Sequence, residues 1–366
     1  MKALYLWQQI GFPNFTWDSS QLITPLGDVH RLQGQLLGRM AALGFEGITQ
    51  QVETITSEII ESSAIEGVKL NVNSVRSSVA RHLGVEAPDT PRTDHYTEGL
   101  VNIMLYATTH YTQALTTDTL FLWHNTLFPT GTSDGYKITT GAWRIGTKPM
   151  VVVSGAMGKE KIHFQAPDSK DVPELMKQFL LWFNHTDGTD PILRAGIAHL
   201  WFVTIHPFDD GNGRISRIIT EMLLAYADRS EQRFYSLSAE IMRRRKAYYA
   251  VLEQTQKSDL DITIWLRWFL ETLRAALLCS LHKTERTLQK SVFWSTHQNI
   301  ELNERQRKII NRLWDGFEGK LNTQKYAKVN HCSQDTALRD IQALIQKGIL
   351  RRAEEGGRST HYELVE

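Results

Sequence analysis

The stretch His206-Pro207-Phe208-Asp209-Asp210-Gly211-Asn212-Gly213-Arg214-Ile215-Ser216-Arg217 gathers the residue types that handle phosphate. Residues 193–205 before it are apolar enough for a buried helix, and Pro207 cannot continue that helix. The two glycines in 209–213 allow a tight loop with positive φ and close approach of another group. The helix that follows begins with amides that have no intrahelical partner and that carry the positive end of its dipole, which makes an anion site. Arg214 and Arg217 are three apart, so they share a helix face and can both reach phosphates. Asp210 offers a hard carboxylate to Mg2+, an ion that takes phosphates and one or two carboxylates. His206 titrates near neutrality and can take a proton from an attacking group. Phe208, apolar between polar neighbours, is expected to pin the loop to the core. A Gly-Asn-Gly turn or a histidine after a helix is ordinarily structural; the conjunction within twelve residues predicts phosphate chemistry.

The elements that must position these groups are mostly helical. Leu32, Leu36, Leu37, Met40 and Leu43 recur at helical spacing, and Ile55, Ile59 and Ile60 mark a helix over 53–66 with Gly67 where a C-terminal cap belongs. Residues 87–94 predict a loop and 96–128 a helical stretch. Short β-like runs at 150–153 and 162–164 flank a glycine-containing turn and predict a hairpin, or flap. Helices are expected at 171–185 and 190–205, the second opened by Asp190 and Pro191, and helical patterns then continue to about 290. Helices at 304–317, 323–329 and 333–347 followed by two short strands close the chain. The expected fold is mostly α with one small β element in the middle and one at the end.

The 366 residues suit two to three domains at roughly 150 residues each. Hydrophobic residues make up 42% and charged residues 22%, a globular mixture that excludes disorder or a coiled-coil array as the main architecture. The net charge of +1 argues against a strongly basic nucleic-acid coat. Two cysteines, Cys279 and Cys332, suit a reducing compartment. With no signal-peptide pattern and no apolar run of membrane-spanning length, a cytoplasmic setting and no membrane partner are expected.

The motif from His206 to Arg217 resembles HPFx(D/E)GNGRxxR of the Fic family at every defining position. The resemblance implies an all-helical core that transfers AMP from ATP, with Mg2+, to a Ser, Thr or Tyr hydroxyl of a target protein. It implies His206 as general base, Phe208 as core anchor and Asp210 as Mg2+ ligand. It further implies Gly211, Asn212 and Gly213 as the cradle for the α- and β-phosphates, Arg214 as the β-phosphate contact and Arg217 as the γ-phosphate contact. Gly213 favours AMP transfer over the phosphorylating branch of the family, which carries Lys there; transfer of another phosphate-containing group stays open. Residues 141–144, 151–155 and 162–167 resemble the hairpin that lies over the site and aligns the target by strand addition. The segment Arg245-Lys246-Ala247-Tyr248-Tyr249 resembles the one flanking adenine; Tyr248 and Tyr249 are adenine-side candidates or core residues. Ser62-Ser63-Ala64-Ile65-Glu66-Gly67 resembles the family's (S/T)xxxE(G/N) inhibitory helix, here about 54–67. That implies autoinhibition by Glu66, aided by Ser62, through competition for Arg217, and it leaves removal of AMP open as a further mode.

The expected domains are 1–90 with the inhibitory helix, a catalytic core at 91–290, and 296–366, where the sequence from Ser333 to Leu350 is similar to the recognition helix of winged helix-turn-helix domains. Twelve Lys and Arg against ten Asp and Glu over 301–366 are weak for a phosphate-tracking surface. Asp335 and Asp340 argue further against DNA, while Arg351, Arg352 and Arg358 argue for it. A protein-contact or homodimer module therefore stands beside DNA binding. A DNA-binding regulator that uses the core as a nucleotide sensor is the alternative to an enzyme.

Overall fold

In the computed structural model, which describes residues 5–43, 45–85, 94–154, 161–353 and 360–365, the chain divides into two units, Met1–Leu281 and His282–Glu366. The first opens with α1 (Ser19–Leu43), α2 (Phe45–Ile65), α3 (Val72–His82), α4 (His95–Thr109) and α5 (Thr117–Leu127). Two hairpins follow, β1 (Thr132–Ser133) with β2 (Tyr136–Lys137) and β3 (Val151–Ser154) with β4 (Lys161–Gln165). The chain then runs through α6 (Val172–Asn184), α7 (Pro191–Ile205), α8 (Asn212–Asp228), α9 (Leu237–Arg243), α10 (Arg245–Gln256) and α11 (Thr263–Thr296). Helix α7 is apolar nearly all round, so it is the central helix: every residue from Ile192 to Ile205 is buried. Its closest neighbour is α8. Asp190 caps α7 by accepting from the Ile192 amide at 2.8 Å, with Pro191 in the first turn.

Helix α2 begins eight residues before the expected start at 53. Thr49, Gln50 and Gln51 blur the apolar stripe there, yet Gln51 and Val52 are buried. Its centre is tied to α9: the buried Glu58 carboxylate accepts from Ser236 Oγ at 2.7 Å, from the Ser238 amide at 2.9 Å and from the Ser238 hydroxyl. Beyond Ile65 the chain turns at Gly67, whose φ of +83° a side-chain-bearing residue adopts poorly. The stretch expected as one helical region, 96–128, is two helices, because Thr116 starts a new one by capping the Thr119 amide at 3.1 Å. Of the loop expected at 87–94, residues 87–93 lie outside the described residues; Asp94 caps α4 through the Thr97 amide at 2.8 Å.

Strands β3 and β4 pair antiparallel, Val151 opposite Gln165 and Val152 opposite Phe164, with a register shift after Val152. The expected turn at 155–158 lies outside the described residues. The opening segment braces this hairpin: Trp7 Nε1 donates to the Gln165 carbonyl at 2.8 Å, and Tyr5 meets Phe164 edge-on at 5.3 Å. Residues 141–144, expected within the hairpin, are not strand; Arg144 is committed instead to the loop that follows α7.

The second unit contains α12 (Glu304–Gly316), α13 (Thr323–Asn330) and α14 (Gln334–Gln346), then β5 (Leu350–Arg352) paired antiparallel with β6 (Tyr362–Leu364). Ile309, Ile310, Tyr326, Ala337, Ile341 and Leu344 form its core. Asp340 of α14 does not face outward as expected. It is buried and accepts from Arg305 Nε at 2.8 Å, Asn303 Nδ2 at 3.0 Å and the Tyr326 hydroxyl at 3.1 Å, so it holds the helices of this unit together. Arg351 faces Glu363 across the strand pair at 2.8 Å, and Arg358 lies outside the described residues. Among the described residues no helix is long and apolar enough to cross a membrane.

Candidate active site

The loop between α7 and α8 is assembled from its buried side chains upward. His206 ends α7 with φ +53° and ψ +58°, a left-handed conformation uncommon outside glycine that turns the chain sharply. Phe208 is fully buried, with its ring stacked on His124 at 4.1 Å and beside Trp143 at 5.2 Å. The Asn212 side chain closes the loop on itself: its Oδ1 accepts from the Phe208 amide at 2.9 Å and its Nδ2 donates to the Phe208 carbonyl at 2.8 Å. Gly211 is left-handed at φ +83°, and a Cβ there would lie 2.8 Å from the Phe128 ring.

Two residues outside the motif complete the cradle, and nothing local in the sequence marked either for this role. Arg144 donates from Nε to the His206 carbonyl at 2.7 Å and from Nη2 to the Pro167 carbonyl, and its amide donates to the Pro207 carbonyl at 2.9 Å. His124 on α5 bonds the Asp210 carbonyl through Nε2 at 3.1 Å. The loop is thus fixed from several sides before any ligand arrives, the condition for aimed electrostatics.

His206 is half-buried, and its Nδ1 lies 3.3 Å from the Val203 carbonyl. A donor is required toward a carbonyl, so the proton is assigned to Nδ1 and Nε2 keeps a free lone pair. Burial, the largest influence, pulls its pKa down to about 4, so the ring is neutral at pH 7 and can accept a proton.

Helix α8 has Gly211 at its N-cap, with no side chain to satisfy the first amides. A carboxylate occupies that end: a Cβ on Gly213 would lie 2.0 Å from Glu66 Oε1 and 3.2 Å from Arg217 Nη1. Arg217, 1% exposed at its side chain, donates from Nε to Ser62 Oγ at 2.9 Å, from Nη2 to the Ser62 carbonyl at 2.9 Å, and from Nη2 to Glu66 Oε1 at 2.8 Å. Its Nη1 is buried and makes no hydrogen bond among the described residues. Arg214, expected on the same face, points to α4: Nη1 donates to the Tyr96 hydroxyl at 2.9 Å, and the guanidinium lies 4.9 Å from the Phe128 ring centre. Asp210 is more open, 43% exposed at its side chain; it accepts from the Gly211 amide and the Ser133 hydroxyl and has Arg214 Nη2 3.7 Å away.

A cavity of about 630 Å3 opens beside these groups. Glu66, Val203, His206 and Gly213 form one wall, Val152, Val153, His163 and Phe164 of the hairpin another, and Tyr248, Tyr249, Glu253 and Gln256 of α10 a third. His163 Nδ1 lies 2.6 Å from Glu253 Oε2, tying hairpin to α10, and hydrogen bonds from Lys257 and His163 hold the Glu253 carboxyl down at about 2. The two tyrosines differ. Tyr248 is buried with its hydroxyl 2.8 Å from His199 Nε2, so it is largely a core residue with one side on the cavity. Tyr249 is 39% exposed and donates to the Ile65 carbonyl at 3.3 Å.

Comparison with known proteins converges on this region. Residues 114–224 match the model of the Fic/DOC family, and residues 5–85 match a domain of unknown function, DUF4172. A protein adenylyltransferase Fic of Drosophila ananassae is 34% identical over 96 residues, 26% of this chain and 18% of that protein. Its namesake from Drosophila virilis is 34% identical over 96 residues, 26% of this chain and 19% of that protein. The chain therefore spans about a fifth of the length of these curated relatives. The crystal structure of a Fic family protein from Desulfovibrio desulfuricans G20 has the same fold at a TM-score of 0.55 and 19% identity, over 96% of this chain and 98% of that one.

Proposed function

Since this chain belongs to the Fic family, we propose that it is a protein adenylyltransferase held in check by its own Glu66. One observation carries the reading. His206, Gly213 at the amide end of α8 and Glu66 line one cavity, and the Glu66 carboxylate, paired with the buried Arg217 behind it, sits where an anionic phosphate would.

In the proposed reaction a hydroxyl oxygen of the target protein attacks the α-phosphorus of ATP. His206 Nε2 takes the hydroxyl proton, the bond from the α-phosphorus to the bridging oxygen breaks, and pyrophosphate leaves with that electron pair. The half-buried, neutral imidazole suits proton acceptance near pH 7. The first amides of α8 and Arg214 bind and neutralise phosphate oxygens, and Arg217 holds the outer phosphate. The cavity wall at Tyr249 suits a stacked adenine. Asp210 fits Mg2+: it is a partly open carboxylate on the phosphate loop, and this ion needs few protein ligands. Mg2+ held there would supply charge neutralisation between phosphates. Glu66 competes for Arg217, so ATP that binds alongside it lacks an outer-phosphate contact.

Intact-mass spectrometry after incubation with Mg-ATP tests this on the unmodified chain, on Glu66→Gly and on Glu66→Gly/His206→Ala. A gain of one AMP on Glu66→Gly alone is the expected result. No adduct on any variant, together with no AMP transfer to lysate proteins, would leave the nucleotide-sensor reading standing instead.

A further inference from the structure

We infer that Ser62 is a positioning residue that presents Arg217 to phosphate, rather than a second part of the brake; this rests on the reading of Arg217 as a phosphate contact. The Arg217 guanidinium has five N–H groups, which lie in one rigid plane. Ser62 takes two of them from the back, Nε through its hydroxyl and Nη2 through its carbonyl, each at 2.9 Å. These two contacts at adjacent positions fix the plane of the fork. Glu66 takes a third N–H, the second hydrogen of Nη2, at 2.8 Å. The remaining two are on Nη1, buried and unbonded, 3.2 Å from where a Cβ of Gly213 would stand.

Ser62 and Glu66 therefore grip different sides. The Glu66 carboxylate and Nη1 both lie against Gly213, at the amide end of α8. If Glu66 swings away, three N–H groups point at that end and Ser62 still holds the other two. Glu66 is free to do so: its side chain is 31% exposed and its bond to Arg217 uses one carboxylate oxygen. Ser62 is not, being 5% exposed on a helix that Glu58 fastens to α9 only four residues earlier. Relief of inhibition then leaves α2 in place as the support for Arg217.

The two roles make opposite predictions. Mg-ATP and AMP are titrated calorimetrically into the full-length Glu66→Gly chain, alone and with Ser62→Ala, Ser62→Thr or Arg217→Ala added. Ser62→Ala is expected to weaken ATP binding about tenfold, the scale of one misaligned charge-assisted hydrogen bond. AMP, which lacks the outer phosphates, is expected to bind unchanged, and Ser62→Thr to restore ATP binding through its hydroxyl. The unchanged AMP affinity separates positioning from general damage to the fold. If Arg217→Ala weakens ATP binding and Ser62→Ala does not, the role assigned to Ser62 is wrong. If Arg217→Ala also has no effect, the phosphate role of Arg217 falls and that of Ser62 with it. In the chain that keeps Glu66, AMP transfer by Ser62→Ala as strong as that of Glu66→Gly would return Ser62 to the brake.

Discussion

Arg217 and Arg233 are both almost fully buried, and both are paired with acids, yet they serve different ends. Arg233 bonds Glu221 Oε2 at 2.9 Å and also Asp228; all three side chains are 2% exposed or less, and Tyr235 stacks 4.5 Å from the guanidinium. Burial pushes the Glu221 and Asp228 carboxyls upward, and Arg233 pulls both back. Gln33 of α1 donates to Asp228, so the cluster ties the N-terminal helices to the end of α8. Arg217 differs in that its carboxylate partner is 31% exposed and borders a cavity. A buried arginine whose counter-charges are sealed in is scaffold. One whose counter-charge can leave is a ligand site with an occupant already in it.

Breaking each arginine's ion pairs should separate the two kinds of site. The largest effect on stability is expected from Arg233→Met, which strands two buried carboxyls and should cost about 3–5 kcal/mol, read by denaturant unfolding; a cost near zero would show that the cluster is not scaffold. Asn212→Ala comes next. It leaves the amide and carbonyl of Phe208 without partners, a loss of about 1–3 kcal/mol, and it should abolish AMP transfer by Glu66→Gly; retention of activity would mean that the loop is held by Arg144 and His124 alone. Glu66→Gly should change stability by less than about 1 kcal/mol, as partly exposed ion pairs do, while raising transfer at least about tenfold through the freed Arg217. A large loss of stability would move this pair into the scaffold class. The smallest effect is in pH. A His206 held at about 4 stays neutral down to about pH 5, so the acid limb of the Glu66→Gly rate should lie near 4 and not near the ordinary histidine value of roughly 6.5. The same shift makes the folded chain bind fewer protons than the unfolded one between those values. His206 thus contributes stability that is present above about 6.5 and lost as pH falls toward 4. A limb at 6.5 would place the imidazole in water.

Much of this was legible in the residues because the signals are local. The loop from His206 to Arg217 encodes its own turn: Pro207 stops α7, Gly211 takes the left-handed position, Asn212 bonds back to Phe208 and α8 starts on bare amides. The helices with clear apolar stripes were legible for the same reason. Arg144 and His124 were not, since their partners lie 62 and 86 residues away along the chain and no spacing records that. Asp340 read as an outward acid because period alone does not say that Arg305, Asn303 and Tyr326 converge on it.

Amino-acid order by itself determined which groups are available: an imidazole, a glycine-bordered helix start, two arginines and a Ser-to-Glu helix turn, each set by neighbours within a few residues. Only the tertiary structure decided how they are used. It turned Arg214 toward Tyr96 and Arg217 toward Ser62 and Glu66, 155 and 151 residues away. Both arginines leave the same short helix, and a guanidinium buried from water takes whatever acceptors the packing of distant helices brings within reach.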